Sequence, residues 1–244
     1  MLKINDDKKH RAKNLMLIWK ILLGLYIAII TVLAFVIPIG FIPGLGERAR
    51  IIFLHVPSAW LSVIAFFVSM IYGIRYLRTR NIFEDVKSAS SAEIGFLFCL
   101  ITTVTGAIWA KFNWGSFWNW DPRQTSIFVL LLIYGAYFVL RSAIEIEERK
   151  ATLSAVYSII AFVTVPFFIF IMPRMMPGLH PGSKGDPEGA GPVLTFKMDP
   201  NMRILFFASL IGFTLLYLWI FKLRSKTEVL KIKIENKLYQ EVQN

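Results

Sequence analysis

Three tryptophans, an aspartate and an arginine fall within residues 114–123, which read WGSFWNWDPR. Indole is a large rigid ring with one N–H that needs a partner, so a cluster of this density points to a purpose. At a membrane surface, Trp114, Trp118 and Trp120 would build a flat, polarizable, partly wet platform, which suits a planar aromatic ligand such as haem. The ordinary alternative is an aromatic belt at headgroup level. That belt accounts poorly for three tryptophans in one loop of a chain that has seven. The chain has three histidines, and two of them, His55 and His180, flank this loop in sequence. Neutral imidazole is a usual axial ligand of haem iron, and two imidazoles from separate segments can hold the iron from both faces. Taken singly, His55 is equally well an interfacial polar residue, and His180 a solvated loop residue. Asp121 suits a helix N-cap whatever else it does. Arg123 matches a haem propionate, or equally a lipid phosphate; Arg48, Arg50 and Lys111 are weaker cations of the same kind. Met172, Met175, Met176, Met198 and Met202 lie near His180 in sequence. Thioethers with an imidazole can bind copper(I), which makes a copper or small-solute permease the rival reading, although methionine more commonly fills gaps.

These residues need elements to position them. The chain of 244 residues is 56% apolar, with Pro and Gly scattered through long apolar runs. That is the composition of an all-α polytopic membrane protein. Hydropathy predicts six spans, at about 15–37, 56–76, 94–110, 122–143, 153–171 and 204–221. They form one haem-handling transmembrane domain over 1–221, followed by a basic cytoplasmic tail over 222–244 that reads as a helix lying on an anionic membrane surface. Residues 75–93, charged and rich in serine, read as a connection. Asp121, Pro122 and Gln124 resemble a capping box opening the fourth span. The basic start is followed by an apolar run too long for the core of a cleaved signal peptide, so the first span is retained.

Six spans put both termini on one side, and basic residues choose which. Of 27 Lys and Arg, only Arg48, Arg50, Lys111, Arg123, Arg174, Lys184, Lys197 and Arg203 fall in the connections opposite the termini. The other 19 fall in the tails and the connections on the termini's side, which makes that side cytoplasmic. His55, the tryptophan loop and His180 then share the outer face. His180 stands between Pro177 and Pro181, ahead of Gly182, Gly185, Gly189 and Gly191, and reads as a movable ligand beside a fixed His55.

Several function classes are excluded. Away from their ends the spans carry none of the ionisable residues that ion-coupled transporters need. No phosphate-binding loop, nucleophile elbow or H-E-x-x-H motif occurs, so any ATP-derived energy comes from partners. With one cysteine, Cys99, the chain forms no internal disulfide and has no C-x-x-C-H site for covalent haem. The basic excess reads as topology, with the lipid bilayer rather than nucleic acid as its partner.

RIIFLHVPSAW (residues 50–60), WGSFWNWDPRQTS (114–126) and GLHP (178–181) resemble the tryptophan-rich "WWD" superfamily of haem-handling proteins. Length, six spans and two external histidines resemble its CcmC family, which serves cytochrome c maturation, over nearly the whole chain. Phe117 stands where that family often has a further Trp, and Gln124 where Leu is common. The resemblance implies that haem b is held between His55 and His180, with Trp114, Trp118, Trp120, Asp121 and Arg123 around it. It implies a bacterial inner-membrane location with the haem site on the periplasmic side. It further implies a CcmE-type periplasmic haem chaperone as recipient, with a CcmA/CcmB ABC transporter and the small protein CcmD as partners. The expected activity is that of a haem-binding assembly factor rather than a turnover enzyme.

Overall fold

The computed structural model describes residues 2–40, 42, 45–180, 183–184 and 198–243, with side chains for all of these except 2–13 and 242–243. Helices α1 (Leu2–Val36), α2 (Ile52–Thr79), α3 (Ile82–Trp114), α4 (Pro122–Ser142) and α5 (Glu147–Pro166) follow in order. A π turn, Phe167–Ile171, and the single turn α6 (Met172–Met175) prolong α5, and α7 (Pro200–Gln243) closes the described chain. Six of these segments are long and apolar enough to cross a membrane, and no named strand occurs among the described residues. The all-α six-helix architecture expected from the sequence is the one that forms.

Helix α2 is central and packs on α3, α5 and α7, while α4 joins α3 and α5, and α1 rests chiefly on α7. Small residues set the close approaches, as expected where lipid supplies no hydrophobic drive between helices. A Cβ added at Gly73 would stand 2.6 Å from Ser158 Oγ on α5, and one at Gly95 would stand 2.7 Å from the Phe66 ring on α2. Phe66 in turn stacks on Tyr134 of α4, with ring centroids 3.5 Å apart. Cys99 is buried in the same cluster.

The helices outrun several predicted spans. Residues 75–93 are not a connection: α2 runs to Thr79, Arg80 takes the left-handed conformation at φ 53°, and Asn81 caps α3 by accepting from Phe83 N at 3.0 Å. The serines that look loop-like form a helix seam instead. Ser88 Oγ donates to Ser69 O at 2.8 Å and Ser91 Oγ to Ala65 O at 2.6 Å, both buried. A hydroxyl small enough for close packing satisfies its hydrogen bond on the neighbouring backbone, which apolar periodicity alone does not register. The charges are absorbed as well. Arg141 of α4 grips Asp85 of α3 through two bonds of 2.8 and 2.9 Å, and Glu84 pairs with Arg75 and Lys87.

Pro166, at the end of α5, is followed directly by the π turn. Proline lacks the N–H that continues the ladder, and local unwinding of this kind accommodates it. At the other end of the chain, α7 passes position 221 without a break, so the tail extends the sixth span rather than turning onto a surface. Arg224 on this extension pairs with Glu93 of α3 and with Glu228.

Candidate functional site

One end of the bundle gathers the exit of α1, the 3-10 turn Gly46–Ile51, the first turn of α2, the last turns of α3, the start of α4 and the segment after α6. Arginines of the 3-10 turn stitch it together. Arg48 Nη1 donates to Phe112 O at 2.7 Å, and Arg50 Nη1 donates to Ala34 O and Ile37 O at 3.0 and 2.9 Å. Arg50 also pairs with Glu47, and Lys111 Nζ donates to Gly115 O at 2.9 Å. These three cations hold backbone carbonyls. Arg123 differs: its Nε is buried without a hydrogen-bond partner among the described residues. A second guanidinium, that of Arg174, stands within electrostatic reach of it. A buried, unpaired guanidinium N–H calls for an acceptor, and a carboxylate is the group its geometry matches.

His55 lies in the first turn of α2, with its ring against α3. Its Nδ1 is 3.0 Å from Thr105 Oγ1, and Gly106 leaves room for it, because a Cβ there would stand 2.9 Å from His55 Cε1. The Thr105 hydroxyl proton is already given to Ile101 O at 2.7 Å, with Thr102 O at 3.2 Å. Oγ1 therefore accepts, Nδ1–H donates, and the lone pair of His55 is on Nε2. This tautomer follows from the hydrogen-bond network.

His180 has the same arrangement through Asp121. Its Nδ1 is 2.7 Å from Asp121 Oδ1, while Leu179 N donates to Oδ2 at 2.7 Å and His180 N lies 3.4 Å from the same oxygen. Asp121 also caps α4, accepting from Arg123 N at 2.9 Å. Burial disfavours the ionised carboxyl of Asp121, but the bond and charge of His180 and the N–H groups of Arg123 and Leu179 prevail and hold it down at about 2. An ionised carboxylate only accepts, so His180 donates to it through Nδ1 and leaves Nε2 for another partner. Gly178 permits this approach, since a Cβ there would stand 2.8 Å from Asp121 Oδ2.

The two imidazoles are thus presented alike and lie within electrostatic reach of each other. Helix α3 sets their spacing. His55 rests on Thr105 and Gly106, while His180 stacks on Trp109, with centroids 5.7 Å apart at 29°. Four residues of α-helix separate these supports by about 6 Å along the axis. Donation of the remote N–H to a carboxylate or hydroxyl is the usual second contact of a metal-binding histidine. Two imidazoles so oriented, with the Trp109 face beside His180 and the unpartnered Nε of Arg123 nearby, fit a haem carrying carboxylates.

The tryptophans are not one flat platform. Trp114 meets the His180 ring edge-on at 4.7 Å and 76°, and Trp109 at 5.0 Å and 83°. Trp118 forms a separate outer pair with Trp120 at 5.8 Å and 89°, and also meets Phe128. Edge-to-face contact suits the ring quadrupole, which explains the perpendicular setting. Trp120 is 70% exposed and holds φ at 55°, a conformation that a bulky residue adopts only when its surroundings impose it. Gln124 braces the residues just before Trp120. It does not close a capping box on Asp121; its Oε1 accepts from Asn119 N at 2.8 Å and its Nε2 donates to Phe117 O at 3.2 Å, which clamps the loop.

Three contributors escape a reading of sequence motifs. Thr105 and Gly106 look like ordinary helix-packing residues and Trp109 like packing at a span end, whereas Gly178 opens the GLHP stretch without showing why a glycine is needed there. The only sequence signal of those three is the one-turn spacing of 105, 106 and 109 on one helix. The reading of His180 as a movable ligand concerns a segment only part of which lies within the described residues. Pro181, Gly182, Gly185, Gly189 and Gly191 lie outside the described residues. Within them, His180 is tied to Asp121, Ser183 N donates to its carbonyl at 3.2 Å, and Lys184 N returns to Met176 O at 3.3 Å. The methionines do not converge on His180. Met172 Sδ accepts from Ser126 Oγ at 2.9 Å, and Met198 and Met202 pack in a hydrophobic cluster, which leaves Met175 and Met176 exposed. No group of three or more His, Cys, Asp or Glu able to hold a metal ion by themselves occurs among the described residues.

A family profile described as "CcmC: Heme exporter protein C" matches residues 5–240. "Heme exporter protein C" of Paracoccus denitrificans is 28% identical over 202 residues, which is 80% of this chain and 79% of that protein. The protein of the same description from Escherichia coli K12 is 30% identical over 178 residues, 70% of this chain and 66% of that one. A "Putative cytochrome c biosynthesis ccmC-like mitochondrial protein" of Marchantia polymorpha is 36% identical over 125 residues, about half of either chain, at 51% and 52%.

Proposed function

The chain belongs to the haem exporter protein C family, and from that premise we propose that it binds haem b at the outer face of the cytoplasmic membrane and presents it for covalent attachment to a periplasmic chaperone. Its general role is in haem handling for cytochrome c maturation, in a multi-pass membrane protein. The observation that carries the finer reading is the matched pair of imidazoles. His55 and His180 each commit Nδ1 to a neighbour and direct Nε2 elsewhere, at the same end of the bundle. Bound there, haem supplies an iron that accepts both nitrogens.

The remaining roles follow from the neighbours. Asp121 orients His180 while capping α4, so the ligand is referred to a transmembrane helix and not to loop conformation. Trp109 and Trp114 flank the His180 ring, one by stacking and one edge-on. Arg123 pairs with a propionate. Trp118 and the exposed Trp120 form the rim at which a CcmE-type chaperone docks. The CcmA/CcmB transporter and CcmD supply the energy and assembly that this chain has no motif to provide.

The test is absorbance of the purified protein in the Soret region together with metal analysis. We expect haem near one per chain, with a six-coordinate spectrum that His55→Ala and His180→Ala each convert to five-coordinate. Free imidazole restores six-coordination to the His180 variant. Copper without haem, or a spectrum indifferent to both substitutions, overturns the proposal.

A further inference from the structure

Thr105 sits in the middle of α3's outer half, with nothing in its type to mark it as part of a site. Threonine in a helix commonly turns its hydroxyl back to the carbonyl four residues earlier, as Thr102, Thr103 and Thr105 all do here. Thr105 differs from the other two because its oxygen takes a second bond, from the His55 ring at 3.0 Å. The next residue, Gly106, is open on the same side, so the ring lies directly against α3, with Cε1 in contact. The ring is thereby fixed in two independent ways. The hydroxyl fixes which nitrogen carries the proton, and the missing Cβ fixes how near the helix the ring lies.

We infer that Thr105 is a positioning residue for the iron-ligating imidazole of His55, holding the Nδ1–H tautomer and setting the electron density at Nε2. This rests on the reading of His55 as a ligand. The physical reason is general. An imidazole that donates its remote N–H to an oxygen is a stronger electron donor at the other nitrogen, and removing that acceptor weakens metal affinity by about 10- to 100-fold in comparable sites. A stronger donor favours ferric over ferrous iron. The two axial ligands are then unequal, because His180 donates to a full carboxylate and His55 to a hydroxyl that is itself polarised by Ile101 O. Chain geometry thus makes His180 the more electron-rich ligand and His55 the one whose strength depends on one hydroxyl.

The experiment uses the full chain purified with haem. Thr105→Val removes the acceptor at nearly unchanged shape, and Thr105→Ser keeps it; Thr105→Ala replaces the valine variant if that one fails to accumulate. Two quantities are read: the midpoint potential of the haem, and the rate at which haem passes to excess apo-globin. In the valine variant we expect a potential shifted positive and haem loss about tenfold faster, with the serine variant restoring both. If the valine variant keeps the potential and loss rate of the parent while His55→Ala still abolishes six-coordination, the role of Thr105 is refuted and ligation by His55 stands. If valine and serine alter both quantities equally, the side chain acts through shape alone and the inference also fails. A parental spectrum in His55→Ala removes the ligand reading and this inference with it.

Discussion

At the scale of single residues, Asp121 carries several obligations at once. One carboxylate caps α4, receives the Leu179 amide and orients the His180 ring. These bonds reach it only because Gly178 has no side chain. We expect Gly178→Ala to push the 176–180 segment off the α4 terminus, since the added Cβ would lie 2.8 Å from Oδ2 and 3.0 Å from Pro122 Cδ. Haem retention should fall about tenfold, the scale for loss of an orienting partner. Gly135→Ala is the control, because nothing lies within 4 Å of a Cβ there. Haem-to-protein ratios after gel filtration decide the matter; equal ratios in the two variants would show that the close approach at Gly178 is not required.

At the scale of elements, the bundle end away from the site is held by ionic contacts. Asp85, which is buried, and Arg141, which is half-buried, form a bidentate pair between α3 and α4. Removing one member of such a pair typically destabilises by about 3–5 kcal/mol, because the other charge is left buried and unpaired, whereas replacing both with apolar residues is often close to neutral. Asp85→Leu and Arg141→Leu should each lower the unfolding midpoint in detergent markedly, and the double variant should recover most of the loss. Additive losses would show that the pair is not coupled. Site ligation should be unchanged in every variant that stays folded, since both residues lie at the opposite end of their helices from Trp109 and Asp121.

At the scale of the whole molecule, the six helices bring the exit of α1, the entry of α2, the exit of α3, the entry of α4 and the entry of α7 to one end. Asp199 illustrates the closure. It caps α7 through Asn201 N and Met202 N and also accepts from Gly40 N at 2.7 Å beyond α1, and these bonds, that of Gly40 foremost, hold its carboxyl below the usual range. The distribution of Lys and Arg predicts which way round the bundle sits in the membrane. A reporter fused after Asn244 should be cytoplasmic and one inserted next to Lys184 should be exported. An exported C-terminal fusion would move the whole site to the other side of the membrane.

The sequence alone determined the six-helix class and the fourth helix's start at Asp121 and Pro122, and it singled out the two histidines and the tryptophan loop as the chemically loaded residues. These follow from apolar run length, residue type and capping chemistry, all local properties of the chain. It misjudged residues 75–93, where charge and serine content imitate a loop but buried partners on α2, α4 and α7 make a helix seam. It also missed Thr105, Gly106 and Trp109, and the reason for the glycine at 178. Their roles have no local signal; each matters because of one neighbour far along the chain, His55, His180 or Asp121. Which nitrogen of each imidazole is left free, and that the indoles meet edge to face, depend on those long-range contacts. Local periodicity does not encode them, so only the packed helices decide them.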